Sequence, residues 1–379
     1  MPFQEDFAVE RFMDEYEETV EFNAAESCCH SLSLNQLFEL TGEKFEFDYS
    51  KRFTYGSIQG TPALRSLIAQ MYSNSDVKLT KENVLITNGA IAANFLVHYA
   101  LVGPGDHVIC LAPTYQQLSS VPRMFGAEVD LLHLKATDAF LPNLNELVAM
   151  IKHNTKLIVL NSPNNPLGSV VPTQLLRQIA AVAEEKGIVV LCDEVYSPLF
   201  HSCQQPKSFA QISTLGAVTG SMSKAYSAAG IRIGWIVSQN AQLLKQAASR
   251  RDYNTISVSM VDDAITRYIL SHRDAILKRN LALCNENLSI MRTFIANSNR
   301  KFSFVHEPQG GSVCLIYING VQDTDSFART LAEKYKVLFS PGECFGVPGT
   351  LRVGLGNSTH ELTEGLRLLR AAYDEYIDI

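Results

Sequence analysis

The sequence predicts an α/β fold: a doubly wound, mostly parallel sheet with a smaller α+β domain. Three observations carry this prediction. Short apolar runs at residues 157–161 and 188–193 lack the alternation of a half-exposed strand, as expected where both faces are buried. Amphipathic helical stretches alternate with such runs from about residue 62 to about residue 273. Both runs also end in a polar residue, Asn161 or Asp193, at the strand ends where open α/β sheets bind their ligands.

In chain order, a strand over residues 84–87 gives way through Gly89 and Ala90 to an apolar helix that begins near Ile91. The strand at 157–161 runs into Ser162-Pro163-Asn164-Asn165-Pro166-Leu167-Gly168, a loop whose prolines and glycine fix Asn165 between rigid neighbours. A long helix over 271–299 leads out of the large domain. Short strands at 313–318, 337–340 and 351–355 follow, with helices between them and a last helix over 361–376. This gives a large domain at 51–273 and a smaller, discontinuous one made of 1–50 and 274–379. There is no internal repeat and no low-complexity linker.

Composition bounds the function classes. With 379 residues, 46% of them hydrophobic and 19% charged, the chain is long enough for two domains and a large core. The formal charge of −7, without basic clusters or aromatic-basic interleaving, disfavours nucleic acid and anionic membranes as partners. No stretch reaches membrane-spanning length, and the start Met1-Pro2-Phe3-Gln4-Glu5-Asp6 is acidic where a targeting signal is basic, so a cytoplasmic location is expected. The eight cysteines form no CxxC pair and the nine histidines no HxH or HExxH pattern; reduced thiols and no metal site are expected.

The chemistry concentrates in Ser221-Met222-Ser223-Lys224, with Arg232 eight residues beyond the lysine. A lysine amine can hold a carbonyl cofactor as a Schiff base, and hydroxyls with a guanidinium suit a phosphate. Each candidate also has a plainer reading: Lys224 on a solvated loop, Asp193 as a helix cap, Tyr115 as a packing aromatic, Arg352 on the solvent face of a strand.

The order of these signals resembles the fold-type I pyridoxal-phosphate enzymes of the class I/II aminotransferase superfamily, over nearly the whole chain. The matching landmarks are Tyr55-Gly56-Ser57-Ile58-Gln59-Gly60 with Leu64-Arg65, Thr87-Asn88-Gly89-Ala90, Pro113-Thr114-Tyr115, Asn165-Pro166-Leu167-Gly168, and Asp193 with Tyr196. Ser221 to Lys224, Arg232, Pro341-Gly342 with Phe345-Gly346, and Leu351-Arg352-Val353-Gly354 complete the series.

The resemblance implies pyridoxal 5'-phosphate as cofactor and a role for each matched residue. Lys224 would carry the cofactor and move the proton at the substrate Cα; Asp193 would face the pyridine nitrogen. Asn165 and Tyr196 would bond the ring oxygen, and Tyr115 would stack on the ring. Gly89, Ala90 and Ile91 at a helix N-terminus, with Ser221, Ser223 and Arg232, would hold the phosphate. Relatives carry serine or threonine where this chain has Ile91, which removes one side-chain donor. Arg352, assisted by Asn165, would pair with the α-carboxylate of a small-molecule substrate, an α-amino acid. Tyr55 would reach the phosphate of a neighbouring subunit, which implies a homodimer.

The reaction itself stays open at this stage. The motifs serve transamination of an L-α-amino acid, and they serve equally a cyclase, lyase or replacement enzyme; a non-enzymatic regulatory module on the same fold is the remote alternative. The stretch from Asn23 to Leu34 lacks the usual glycine-proline element and is similar to the branch containing capreomycidine synthase. Glu26 and His30 in it read either as helix-capping and surface polarity or as substrate contacts, a carboxylate suiting a cationic side chain.

Overall fold

A computed structural model describes residues 4–377. The chain opens with α1 (Ala8–Tyr16), the short strand β1 (Phe22–Asn23) and α2 (Leu34–Thr41). Local chemistry sets the ends of α2: Ser33 and Gln36 form a reciprocal cap, and Gly42 closes the helix at φ 75°. α3 (Pro62–Met71) is started by Thr61, whose hydroxyl accepts the Leu64 N–H, with Pro62 in the first turn.

The large sheet is then laid down as β2 (Val84–Thr87), α4 (Gly89–Leu101), β3 (His107–Ala112), α5 (Gln117–Met124), β4 (Glu128–His133), α6 (Leu144–Met150), β5 (Thr155–Asn161), α7 (Thr173–Glu185), β6 (Val189–Asp193), β7 (Ala217–Ser221) and β8 (Gly234–Ser238). Three helices leave it: α8 (Ala241–Arg251), α9 (Met260–Ser271) and α10 (Arg273–Ala296). The second sheet region comprises β9 (Phe302–Phe304), β10 (Val313–Ile318), α11 (Thr324–Tyr335), β11 (Val337–Leu338), β12 (Ser340–Pro341), β13 (Thr350–Gly354) and the closing α12 (Thr359–Ile377).

The seven strands of the large sheet run in the order β2-β8-β7-β6-β5-β3-β4. Pairing is parallel from β7 through β4, and only β8 is antiparallel to its neighbours β2 and β7. This is the α/β class the sequence predicts. Leu157, Ile158, Val159 and Leu160 of β5 are all buried, which is why that run is uninterruptedly apolar. Because β8 alone is reversed, its beginning lies at the same edge as the ends of β2, β5, β6 and β7, and that edge collects the polar loops.

The smaller sheet has the order β12-β13-β10-β9 and is antiparallel throughout. Its core joins the two ends of the chain: Phe12, Tyr16, Ala24 and Ala25 pack with Phe327, Phe339, Leu351 and Leu366. Cys29 and Leu37, further along the N-terminal segment, pack into the core of the large sheet. Helix α10 spans both, placing Ile276 and Cys284 in one core and Leu288 and Met291 in the other.

Two element expectations change in detail. The run at 337–340 is split, β11 pairing in parallel with β1 and β12 antiparallel with β13, because buried Phe339 lies between them. The long helix is preceded by a break at His272, whose ring Nδ1 bonds the Tyr268 carbonyl and ends α9 there.

Candidate active site

Loops from the ligand edge of the large sheet, the strand β13 and the helix α1 enclose a cavity of about 360 Å³. Lys224 follows β7 by three residues, and its Nζ donates to Ser27 Oγ at 2.6 Å and to Cys28 Sγ at 3.4 Å. Burial presses the amine downward, but the facing Cys28, Tyr196 and Glu26 outweigh it and hold Lys224 above the ordinary lysine value. Burial pushes the Cys28 thiol up to about 12, so it stays protonated at neutral pH.

Asp193, the last residue of β6, is buried beneath the lysine. Its Oδ2 accepts from Asn94 Nδ2 at 2.9 Å and its Oδ1 from the Val195 N–H at 3.0 Å. Thr219 Oγ1 donates to Asn94 Oδ1 at 2.6 Å, which fixes the amide so that it donates to the aspartate. Burial raises the Asp193 carboxyl, opposed by those two donors and by Lys224. A buried carboxylate held this way is poised to pair with a cationic ring nitrogen.

Asn165 is placed by its own N–H, which donates to Asn161 Oδ1 at 2.7 Å. Its Oδ1 accepts from Arg352 Nη1 at 3.3 Å. Arg352, on β13, is buried; its Nη2 donates to the Ala25 carbonyl at 3.0 Å and Ser340 Oγ at 3.1 Å, and its head lies over the Phe345 ring at 5.1 Å. The solvent-facing alternative for Arg352 is thereby excluded. Its Nε has no partner, and neither does Tyr196 Oη, although Tyr196 is 1% exposed. Both side chains line the cavity. Such unsatisfied buried groups mark where a polar ligand is accepted.

A cradle for an anion lies at the other end. Asn88 makes no side-chain cap on α4, leaving the first N–H groups of that helix open beside Gly89 and Ala90. Gly89 adopts φ +80°, and a Cβ there would come within 2.8 Å of Arg232 Nη2, so only glycine admits the guanidinium this close. Arg232 Nη1 donates to the Ala229 carbonyl at 2.8 Å, and Ser221 Oγ accepts the Ser223 N–H at 3.1 Å, which leaves the serine hydroxyl proton free to donate. Ile91 is at the mouth, 40% exposed, and offers no side-chain donor.

Among the residues expected at the site, the structure brings together Gly89, Ala90, Ile91, Tyr115, Asn165, Asp193, Tyr196, Ser221, Ser223, Lys224, Arg232 and Arg352; Gly89 adjoins the cavity through Arg232 and the rest line it. Tyr55 is the exception. It is 80% exposed and lies in a separate shallow depression with Thr54, Ser57 and Val258, so it does not reach the cavity of its own chain. Tyr115 does more than line a wall: its hydroxyl donates to Glu10 Oε1 at 2.7 Å and its ring meets Phe7 at 4.9 Å between centroids, which ties α1 over the mouth.

Sequence reasoning gave no role to Ser27, Asn94 or the α1 face of Glu10, Met13, Asp14 and Glu17, all of which line the cavity. Asn94 was readable: it stands one helical turn after Ala90 in an otherwise apolar helix, on the face that begins at the anion cradle. Among the described residues no cluster of potential metal ligands occurs, and no helix is long and apolar enough to cross a membrane.

Comparison with known proteins accounts for this geometry. Residues 36–369 match the family aminotransferase class I and II. The crystal structure of a pyridoxal-phosphate-dependent aminotransferase from Streptococcus suis 89-1591 superposes with a TM-score of 0.91 at 33% identity, covering 98% of each chain. A probable aspartate/prephenate aminotransferase of Aquifex aeolicus is 27% identical over 342 residues, 85% of this chain and 84% of its own. Capreomycidine synthase of Streptomyces vinaceus is 28% identical over 283 residues, 75% of this chain and 72% of its own. The architecture is that of the fold-type I enzymes dependent on pyridoxal 5'-phosphate. The chain belongs to the class I and II aminotransferase family and is a pyridoxal-phosphate-dependent enzyme. The residues present fit that cofactor: the uncapped N-terminus of α4 and the Gly89–Arg232 approach suit a phosphate, and the unpartnered Tyr196 Oη suits a ring oxygen.

Proposed function

We propose that this aminotransferase family member transaminates an L-α-amino acid, with Lys224 as the residue that carries the cofactor and moves the Cα proton. The observation that carries this reading is one cavity in which Lys224 Nζ, Asp193 and the unpartnered Arg352 Nε converge. When bound, the cofactor supplies an electrophilic carbon for the substrate amine and an electron sink for charge developing at Cα.

The chain's own residues do the remainder. Arg352 binds and orients the substrate α-carboxylate through its free Nε edge, with Asn165 beside it. Lys224 Nζ, held by Ser27 Oγ, takes the proton from the substrate Cα. With the cofactor bound, Asp193, fixed by Asn94, would keep a ring nitrogen protonated. Tyr196 and Asn165 would donate to a ring oxygen, and Tyr115 would bound the ring face. Ser221, Ser223, Arg232, Ala90 and the α4 N-terminus at Gly89 would hold the phosphate, with the Ile91 backbone but not its side chain contributing.

The cofactor unit is residues 51–273, with the flanking segments as the smaller unit. We also infer a homodimer in which Tyr55 reaches the partner's phosphate, because it is exposed and lies outside the cavity of its own chain. A cytoplasmic location is supported by eight free cysteines, six of them buried: Cys28, Cys29, Cys110, Cys192, Cys284 and Cys314.

The test is titration of the cofactor-loaded protein with L-amino acids in the absence of keto acid. Loss of the visible cofactor absorbance with one equivalent of keto acid released is expected. Repeated turnover with that absorbance restored and a cyclic or unsaturated product would replace transamination by the cyclase or lyase reading. Lys224→Ala is expected to lose the covalent cofactor and to lower turnover by about 10²–10⁴-fold or more; full activity in that variant would remove the lysine from the mechanism.

A further inference from the structure

The wall of the cavity carries more negative charge than the cofactor and the substrate backbone can use. Its cations are Lys224, Arg232 and Arg352; its carboxylates are Glu10, Asp14, Glu17, Glu26 and Asp193. On the reading above, each cation already has a counterpart: Arg232 the phosphate, Arg352 the substrate α-carboxylate, Lys224 the cofactor carbon. Asp193 is likewise matched by a ring nitrogen. Four carboxylates remain. Among the described residues none of the four makes an ion pair.

Three of them share one face of α1 and its C-terminal cap, Glu17. Glu10, Asp14 and Glu17 are spaced four and three residues apart, so they stack along the side that also turns Val9 and Met13 to the cavity. Like charges at these spacings disfavour the helix that bears them. Among the described residues no ion pair offsets that repulsion, and Arg329 is engaged by Glu15 and Asp325. The mutual repulsion is visible on Glu17, whose carboxyl is raised by burial first and then by Glu26, Asp14 and Glu10. Glu26 lies deeper: burial raises its carboxyl, but Lys224, the Cys28 N–H and Arg352 outweigh this and keep it ionised.

The cluster does not stand alone as an acidic surface. It rims a cavity into which two buried side chains, Tyr196 and Arg352, aim unpartnered polar atoms, so a ligand that satisfies them extends its remaining atoms toward the carboxylates. A side chain ending in a carboxylate would face four like charges with no free cation. One ending in an ammonium or guanidinium would neutralise them.

Resting on the transamination reading, we propose that the preferred substrates are basic L-α-amino acids, whose distal cation is read by Asp14 and Glu17 of α1 with Glu10 and Glu26 beside them. This separates the chain from relatives named for aspartate, whatever backbone chemistry they share.

The experiment is a half-reaction assay on the cofactor-loaded enzyme, following loss of cofactor absorbance with L-ornithine, L-lysine, L-arginine, L-norleucine and L-glutamate, and no keto acid. At least one basic amino acid is expected to exceed L-norleucine in kcat/KM by about tenfold, with L-glutamate the poorest. Equal or higher efficiency with L-norleucine or L-glutamate would overturn the charge reading and leave transamination intact. No reaction with any of the five would overturn both. The double variant D14N/E17Q, at exposed positions, is expected to lower the ratio of basic to L-norleucine efficiency by about tenfold, and an unchanged ratio would remove α1 from recognition.

Discussion

The floor of the cavity and its rim are built on opposite principles. The floor is made of strand ends: Asp193, Asn161 and Ser221 are almost wholly buried, Asn161 donating to the Asp193 carbonyl on the adjacent strand, Asp193 accepting from Asn94 of α4, and Ser221 accepting from the Ser223 N–H. The rim is helix α1 with Glu17 after it, whose carboxylates Glu10, Asp14 and Glu17 are exposed and which meets the neighbouring loop through Tyr115–Glu10 and Ala8–Gln116. A floor of this kind fixes bond chemistry, because displacing any group would break a buried network. A rim of this kind can change its charge without disturbing the fold. The difference teaches that reaction type and substrate choice reside in separate parts of one cavity.

The sharpest way to break the comparison is Arg352, a buried group bonded both to Asn165 and to the Ala25 carbonyl of the N-terminal segment. Arg352→Ala is expected to weaken every α-carboxylate substrate by about 2–5 kcal/mol, measured as substrate dissociation constants in the half-reaction. Unchanged affinity would move the carboxylate site elsewhere.

Glu194 probes the back of the floor. Burial lifts its carboxyl to about 7 from the ordinary 4.5, opposed by the Phe209 N–H that donates to it at 2.7 Å. The folded protein therefore holds this proton more tightly than the unfolded chain, and the stability that follows is full below pH 4.5 and lost as pH rises through 7. Glu194→Gln keeps the acceptor without the titration. Its stability relative to wild type is expected to rise by about 3 kcal/mol between pH 4.5 and pH 8 in denaturant melts; parallel pH profiles would show that the carboxyl titrates normally.

A smaller effect is expected from Asn94→Ala, which strips one donor from Asp193. Turnover should fall by about 1.5–3 kcal/mol in barrier height while the basic-over-neutral substrate ratio stays within experimental error of wild type. A change in that ratio would show that floor and rim are coupled.

The floor was legible because its signals are local. Apolar strands announce themselves by uninterrupted runs: Asp193 ends one and Asn165 lies in the loop four residues after another, while Lys224 was marked by the serines beside it. The rim was not, since its position depends on contacts between residues more than a hundred apart, such as Ala8 N–H with Gln116 Oε1 and Tyr16 with Glu333. Periodicity in a sequence reports a helix, not what the helix faces. Ser27 escaped notice for the same reason: a serine in an irregular stretch acquires meaning only when the fold sets it 2.6 Å from Lys224 Nζ. The splitting of 337–340 was equally beyond reach, because it shows only in the partners of its two halves, β1 and β13.

The contact between Gly354 and the backbone of Glu26 defines a seam in this molecule. A Cβ at 354 would lie 2.0 Å from the Glu26 carbonyl oxygen, and the Gly354 N–H donates to Ala24 at 2.8 Å, so main chain meets main chain with no side chain between them. Joins of that kind are indifferent to the identity of the residues on the incoming strand. The exposed side chains N-terminal to the seam, Glu10, Asp14 and Glu17 among them, can thus diverge under selection, or be exchanged by an engineer, around the core residues Phe12 and Tyr16, while the residue two places before Gly354, Arg352, stays in register to receive a new clientele of amino acids.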